Sequence, residues 1–370
     1  MAWFLGLMSG TSLDGVDGVL AETQPGGTLQ ARQHVHLPMP TALRAELLAL
    51  NRSGADELHR AALAGNAISR LYAQAALALL AAQALRASEV AALGAHGQTV
   101  RHRPREFDGT GYTLQLINGA LLAELSGIDV ACDLRSRDLA AGGEGAPLVP
   151  AFHAACFAQA GQDVAVLNLG GIANLTLLGA DGQVSGFDCG PGNLLVDLWC
   201  QRHRGDAFDA GGAWAAGGQV DQPLLQRLLA EPYFARMPPK STGRDLFDAA
   251  WLDARLAGAA VAAQDVQATL AELTAASAAQ ALLRLAPATR RLLVCGGGAF
   301  NADLMARIAA RMGPQLAVQT TAEAGVPPDQ VEALAFAWLA SAHIARRTGN
   351  LPAVTGARGA RVLGALYPAA

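Results

Sequence analysis

The sequence predicts an α/β fold of two lobes, and three observations carry that expectation. At 370 residues the chain exceeds one small module, since a domain takes about 150 residues. Strand-like runs alternate with helix-like ones, the mark of layered α/β structure. A strand, small-residue turn, strand design also occurs twice, at the N-terminus and again from Val164, so one half-domain plan is repeated.

The elements follow in order. Trp3-Phe4-Leu5-Gly6-Leu7-Met8 reads as a strand, Ser9 to Gly15 as a turn, and the alternating Val16-Asp17-Gly18-Val19-Leu20 as its return. His59 to Leu85 carries Leu63, Ile68, Leu71 and Leu79 among alanines near helical spacing, which predicts a long amphipathic helix on a sheet. Strands are expected at Val90–Gly94, Tyr112–Ile117 and Asp129–Ala131. Val164 to Leu169, Gly170-Gly171, and Ile172 to Leu178 form the second hairpin. Helices are predicted over Asp221–Leu229, Ala249–Ala263, Val266–Leu285 and Val331–Arg346. Between the last two, Arg291–Cys295 reads as a buried strand, Gly296-Gly297-Gly298 as a turn, and Ala302–Met312 as a helix capped by Asn301. The lobe boundary is expected between 120 and 150, with residues 1–130 forming the N-terminal lobe, completed by the C-terminal end, and 131–370 the second lobe.

Composition narrows the function. Apolar residues make up 52% of the chain and charged residues 16%, which excludes a disordered or supercharged protein. The 27 basic and 31 acidic side chains leave −4, so no global field recruits nucleic acid or an anionic membrane. A small-molecule partner is expected. The five cysteines are scattered without C-x-x-C spacing, which points to reduced thiols and a cytoplasmic location. The N-terminus lacks the basic region of a signal peptide, and the most apolar segment, Tyr72 to Leu85, is too short to span a bilayer.

The first turn, Gly10-Thr11-Ser12-Leu13-Asp14-Gly15-Val16-Asp17, has the makings of a phosphate cradle, because small residues let backbone N–H groups and hydroxyls converge on an anion. It lacks the G-x-x-x-x-G-K-[ST] pattern and any nearby lysine. Asp14 and Asp17 suit Mg²⁺, which takes carboxylates, waters and phosphate oxygens; a tight hairpin with a capping Asp is the alternative. Gly170-Gly171, preceded by Asn168, and Gly296-Gly297-Gly298 are two further places where backbone can approach a ligand. His34-x-His36 has no cysteine or carboxylate cluster beside it in sequence, which argues against a structural metal.

Two phosphate hairpins and a strand–GGG–helix turn form the recurrent plan of the actin-like, sugar-kinase-like ATPase superfamily. A closer resemblance rests on eight blocks: Gly6 to Asp17, His96-Gly-Gln-Thr99, Asp133-Leu-Arg-Ser-Arg-Asp138, Ala140 to Pro150, Asn168 to Asn174, Phe187-Asp-Cys-Gly-Pro-Gly-Asn193, Lys240 to Asp245, and Cys295 to Asn301. Together they resemble the anhydro-N-acetylmuramic acid kinase family in order and over nearly the whole chain. The resemblance implies a two-lobed actin-like (ribonuclease H-like) ATPase fold with an inter-lobe active-site cleft, a homodimer, and use of ATP and Mg²⁺. The implied reaction takes 1,6-anhydro-N-acetylmuramic acid and water to N-acetylmuramic acid 6-phosphate in cell-wall recycling. Cys189 stands where the resemblance leads one to expect Thr, Glu144 where Gln is usual, and Leu134 where Phe is.

That chemistry needs a base for water at the anomeric carbon, and Asp188, followed by Gly190-Pro191-Gly192 in an expected rigid turn, is the candidate. Arg135 suits the substrate's lactyl carboxylate as a bidentate cation, or a structural ion pair with Asp133 or Asp138. His96 is a candidate sugar contact, and Glu332 another, its alternative being a charge on a helix N-terminus. Two other functions fit the same fold: an ordinary sugar kinase whose Asp188 deprotonates a substrate hydroxyl, and a nucleotide-switched binding module.

Overall fold

The computed structural model describes residues 2–25, 27–238, 240–243 and 246–369. In chain order the strands are β1 (Trp3–Met8), β2 (Gly15–Thr23), β3 (Leu29–Pro38), β4 (Val90–Ala95), β5 (Gln98–Pro104), β6 (Gly111–Leu116), β7 (Val130–Cys132), β8 (Val164–Leu169), β9 (Ile172–Leu178), β10 (Val184–Pro191), β11 (Arg291–Cys295), β12 (Ala317–Thr320) and β13 (Ala365–Tyr367). Four of the longer helices are α1 (Glu57–Ala82), α2 (Ala263–Leu285), α3 (Ala302–Met312) and α4 (Val331–Ile344).

Two compact units divide the chain, residues 1–156 with 330–370, and residues 157–329. The division after residue 130 expected from sequence is therefore displaced. The cause is pairing: β7 runs parallel to β4 through Leu93↔Val130 and Gly94↔Ala131, and β13 returns antiparallel onto β7. Residues beyond 130 thus continue the first sheet.

Each unit is built on one sheet, and the two sheets share a plan. In the first the order is β3-β2-β1-β4-β7-β13 and in the second β10-β9-β8-β11-β12. Each begins with a three-stranded antiparallel meander, β1-β2-β3 or β8-β9-β10. The first strand of the meander then takes a parallel neighbour, β4 or β11, and that strand another, β7 or β12. This order is the ribonuclease H-like arrangement, present twice, with β13 added to the first copy.

Helix packing explains the composition of the central strands. Phe4 to Leu7 of β1 are all buried, as expected of a strand covered on both faces. α4 lies so close to the sheet that a Cβ on Gly6 would collide with the carbonyl oxygen of Ala333, and one on Gly94 with that of Phe336. Small residues on both surfaces permit this approach: α4 contributes Ala333, Ala335, Ala337 and Ala340, all buried. On α1 the buried stripe runs through Ala64, Ile68, Leu71, Tyr72, Ala75, Ala76 and Leu79. Leu63, counted with that stripe from sequence, is 55% exposed.

The second unit buries every residue of α2 from Val266 to Ala279. The single helix expected over Ala249–Ala263 is shorter. It ends at Leu256, where Ala257 leaves helical geometry (φ −53°, ψ 124°) and Gly258 takes φ +76°, before α2 begins at Ala263. Alanine favours helix on both sides of this break, so only the lone Gly258 marks it in the sequence.

Candidate active site

In the first unit the β1–β2 turn is held rigidly at its root. Ser9, almost fully buried, donates its hydroxyl to the carbonyl of Gly97 (3.1 Å) and lies 2.9 Å from the Tyr72 hydroxyl, which also donates to Gly97 (3.2 Å). Gln98 Nε2 donates to the Gly10 carbonyl at 3.1 Å. The His96-Gly97-Gln98 segment and α1 thereby fix where the turn begins. Tyr72 carries no signal in the sequence, sitting among the alanines of a helix, whereas Ser9 and Gln98 lie inside blocks already conspicuous there.

Within the turn the residues divide by direction. Leu13 and Val16 are buried, so only their backbone can meet a ligand. Leu13 adopts φ +56°, a left-handed conformation uncommon outside glycine and a sign of a constrained turn. Thr11, Ser12 and Asp14 are exposed. Ser12 donates its hydroxyl to Asp14 Oδ1 (2.7 Å), which also accepts the Gly15 N–H (3.0 Å). The exposed Asp14 carboxylate thus braces the turn through Oδ1.

Asp17 finds partners that sequence distance concealed. In the β2–β3 register it pairs with His36, and its Oδ1 lies 3.0 Å from His36 Nδ1 and 3.3 Å from His34 Nε2. The pairing places a carboxylate beside His34-x-His36 after all. Among the described residues, no group of three or more His, Cys, Asp and Glu side chains is arranged to hold a metal ion.

His96 and Arg135 form the core of this half. Burial, and then the positive charge of Arg135, hold the imidazole down to about 3 from its usual 6.5, so it is neutral. Its Nε2 accepts from Arg135 Nη2 at 2.9 Å and Nε at 3.3 Å. That assigns the proton to Nδ1, 3.3 Å from the Ser9 carbonyl. Both ring nitrogens are thus engaged by protein, Nδ1 by the Ser9 carbonyl and Nε2 by Arg135. Arg135 Nη1 donates to the Gly145 carbonyl (2.8 Å). Burial lowers its pKa to about 10, opposed by Glu332 and Asp138, and the guanidinium stays charged. Three of its five N–H donors are thus directed at His96 and Gly145. Glu332, in the first turn of α4, is desolvated, and its pKa rises; Arg135 opposes that rise, and Asp17 and Asp14 add to it. These acids and the arginine therefore share one electrostatic neighbourhood.

In the second unit the Gly170-Gly171 turn is open: a Cβ on Gly171 would touch nothing within 4 Å. Its carbonyls accept from Gly192, Asn193 and Leu194 N–H groups at 2.8–3.1 Å. The three glycines 296–298 are not equivalent. A Cβ on Gly298 would press on Leu169 Cβ at 2.5 Å, and one on Gly296 would collide with Asn168 Oδ1, whereas Gly297 is open and exposed. Two of the three therefore serve packing against β8. Asn168 Oδ1 is buried without a hydrogen-bond partner among the described residues.

Asp188 lies in β10, opposite Asn174 and beside a register shift before Gly190. Gly190 and Pro191 continue the strand, so the turn expected there begins only at Gly192. Asp188 Oδ2 accepts from Ser241 Oγ (2.9 Å) and Thr242 N–H (3.0 Å), and its carbonyl accepts from the Tyr233 hydroxyl (2.7 Å). Burial raises its pKa despite these donors and Lys240. Lys240 is itself buried, with Nζ 4.7 Å from the Tyr233 ring centre and 3.3 Å from the Tyr233 carbonyl. Cys189 faces the other way, donating its thiol to Ala173 O (3.2 Å) in the core. Arg244 and Asp245 of the Lys240–Asp245 block lie outside the described residues.

No helix among the described residues is long and apolar enough to cross a membrane. Residues 2–369 match the family described as anhydro-N-acetylmuramic acid kinase. A protein of that name from Variovorax paradoxus is 62% identical over 372 residues, covering 99% of each chain. One from Bordetella petrii is 62% identical over 370 residues, with 99% of this chain and 96% of the other covered. One from Albidiferax ferrireducens is 56% identical over 387 residues, with 99% of each chain covered.

Proposed function

The chain belongs to the anhydro-N-acetylmuramic acid kinase family, and on that premise we propose how its residues divide an ATP-dependent reaction that opens the 1,6-anhydro ring and phosphorylates O6. Asp188 is the base. It takes a proton from water as the water oxygen bonds to C1; the C1–O6 bond breaks, O6 bonds to the γ-phosphorus, and ADP leaves with the electrons of the broken P–O bond. The single observation that supports this assignment is the Asp188 carboxylate, desolvated yet fixed through Oδ2 by Ser241 and Thr242. Desolvation brings a carboxylate's basicity toward the working pH, which favours proton transfer.

Arg135, presented by neutral His96, meets the lactyl carboxylate, and Glu332 meets polar groups of the same sugar. The turns Gly10–Asp17 and Asn168–Gly171 receive phosphate through backbone N–H groups, and Gly296-Gly297-Gly298 receives the adenosine, with Gly297 as the open position. The exposed Asp14 carboxylate, with Asp17 and Glu332 nearby in the field, suits Mg²⁺, which takes one or two carboxylates with waters and phosphate oxygens. When bound, the ion would neutralise charge developing on the transferring phosphoryl group. We also read the protein as a cytoplasmic homodimer, as the resemblance implies and the scattered thiols suit.

The test is turnover with ATP, Mg²⁺ and anhydro-N-acetylmuramic acid in ¹⁸O-water, followed by mass spectrometry. Label is expected on the sugar and absent from phosphate. Sugar phosphate with an intact anhydro bridge and no label would replace this mechanism with that of an ordinary kinase.

A further inference from the structure

We propose that Asp138 is a positioning residue for Arg135, and that through it the C-terminal segment 349–361 sets the selectivity of the anion site. The inference rests on the reading of Arg135 as the partner of the sugar carboxylate. Asp138 and Arg135 are close in sequence, but they do not meet as the simple ion pair their spacing suggests. The connection runs through backbone. Asp138 Oδ2 accepts the Gly145 N–H at 2.8 Å, and the Gly145 carbonyl accepts Arg135 Nη1 at 2.8 Å. One residue, Gly145, thus links the carboxylate at its N–H to the guanidinium at its carbonyl.

The other carboxylate oxygen faces the end of the chain. Oδ1 accepts from Asn350 Nδ2 (2.5 Å) and Thr355 Oγ1 (2.8 Å). Asp138 is completely buried, and Asn350 and Thr355 almost so. Backbone bonds continue the seam: Glu144 N–H donates to Thr355 O (2.8 Å) and Arg358 N–H to Ala141 O (2.8 Å). Glycine is required here, since a Cβ on Gly143 would collide with Asp138 Oδ2, and Gly145 adopts φ +68°. A fully buried carboxylate that accepts three hydrogen bonds holds its donors in one geometry, because each unmade bond would leave a desolvated group unpaired. The Gly145 carbonyl, and the guanidinium bonded to it, inherit that geometry.

A role confined to folding would affect all ligands alike; positioning of Arg135 would affect the carboxylate-bearing sugar. The experiment therefore compares anhydro-N-acetylmuramic acid with the same anhydro sugar lacking the lactyl group, used as a competitor. In Asp138→Asn the KM for the acidic sugar is expected to rise at least tenfold, with kcat within threefold, and with the KM for ATP and the Ki of the neutral sugar unchanged. Thr355→Val, which removes one donor and keeps the shape, is expected to raise the acidic-sugar KM about threefold, and it carries the test if Asp138→Asn does not fold. Adding Thr355→Val to Arg135→Ala should then change nothing further. Acidic and neutral sugars weakening together, or an undiminished Thr355→Val effect in the Arg135→Ala background, would overturn the proposal. If Arg135→Ala itself leaves the preference for the acidic sugar intact, the assignment of Arg135 falls, and the proposal with it; if only the Asp138 and Thr355 variants are silent, the proposal alone falls.

Discussion

Arg135 donates through Nη2 and Nε to the same nitrogen of His96, at 2.9 and 3.3 Å, so a half-buried cation is held by a buried ring that stays neutral. The arrangement requires the imidazole to stay neutral, and burial together with the arginine's own charge enforces this.

The first prediction is a pH dependence of stability. His96 titrates near 3 in the fold against an ordinary 6.5, so between those values the unfolded chain binds a proton that the folded one does not. Stability is therefore present above 6.5 and lost as pH falls, by about 1.4 kcal/mol per pH unit for such a group. His153, also held down to about 3, adds to the slope. Thermal melts between pH 7 and 5 should show a smaller drop for His96→Gln than for the parent. Equal drops would mean that His96 is not the neutral acceptor described.

The second concerns Asp188. Asp188→Asn keeps an acceptor for Ser241 and Thr242 but no proton acceptor, so kcat should fall by a factor on the order of 10² to 10⁴ while calorimetry still detects both substrates. Stability should move oppositely. A carboxyl whose pKa is raised in the fold contributes stability below its unfolded value that is lost as pH rises through the folded one. The Asn variant should thus melt at or above the parent temperature at pH 8. In the parent, the acid limb of kcat/KM should lie above the ordinary carboxylate range. Near-normal turnover in a well-folded Asn variant would remove Asp188 from the role of base.

The third separates packing glycines from ligand glycines. Gly94→Ala drives a methyl into the Phe336 carbonyl on α4, and overpacking against backbone should cost about 3 kcal/mol or more. Gly171→Ala meets nothing; its melt should match the parent while its affinity for ATP falls. Chemical denaturation beside nucleotide titration distinguishes the two, and a destabilised Gly171→Ala with intact ATP binding would contradict the division.

Sequence by itself determined the repeated α/β plan and most of its elements. Continuous apolar runs such as Val164–Leu169 and the capped helix after Asn301 are local signals, set by burial of successive side chains and by a side-chain oxygen accepting the Leu304 N–H. It also isolated Asp188, Arg135 and the three glycine turns, because these lie in contiguous motifs. Tertiary structure decided the rest, since the remaining relationships join residues far apart in the chain. Asp17 meets His34 and His36 only through strand register, Tyr72 reaches Ser9 only once α1 packs on the sheet, and Asp138 meets Asn350 and Thr355 only when the C-terminal segment folds back. The same cause assigned the glycines and His96 their roles: what a missing Cβ makes room for, and what a ring nitrogen faces, depend on the element packed against it and not on sequence neighbours.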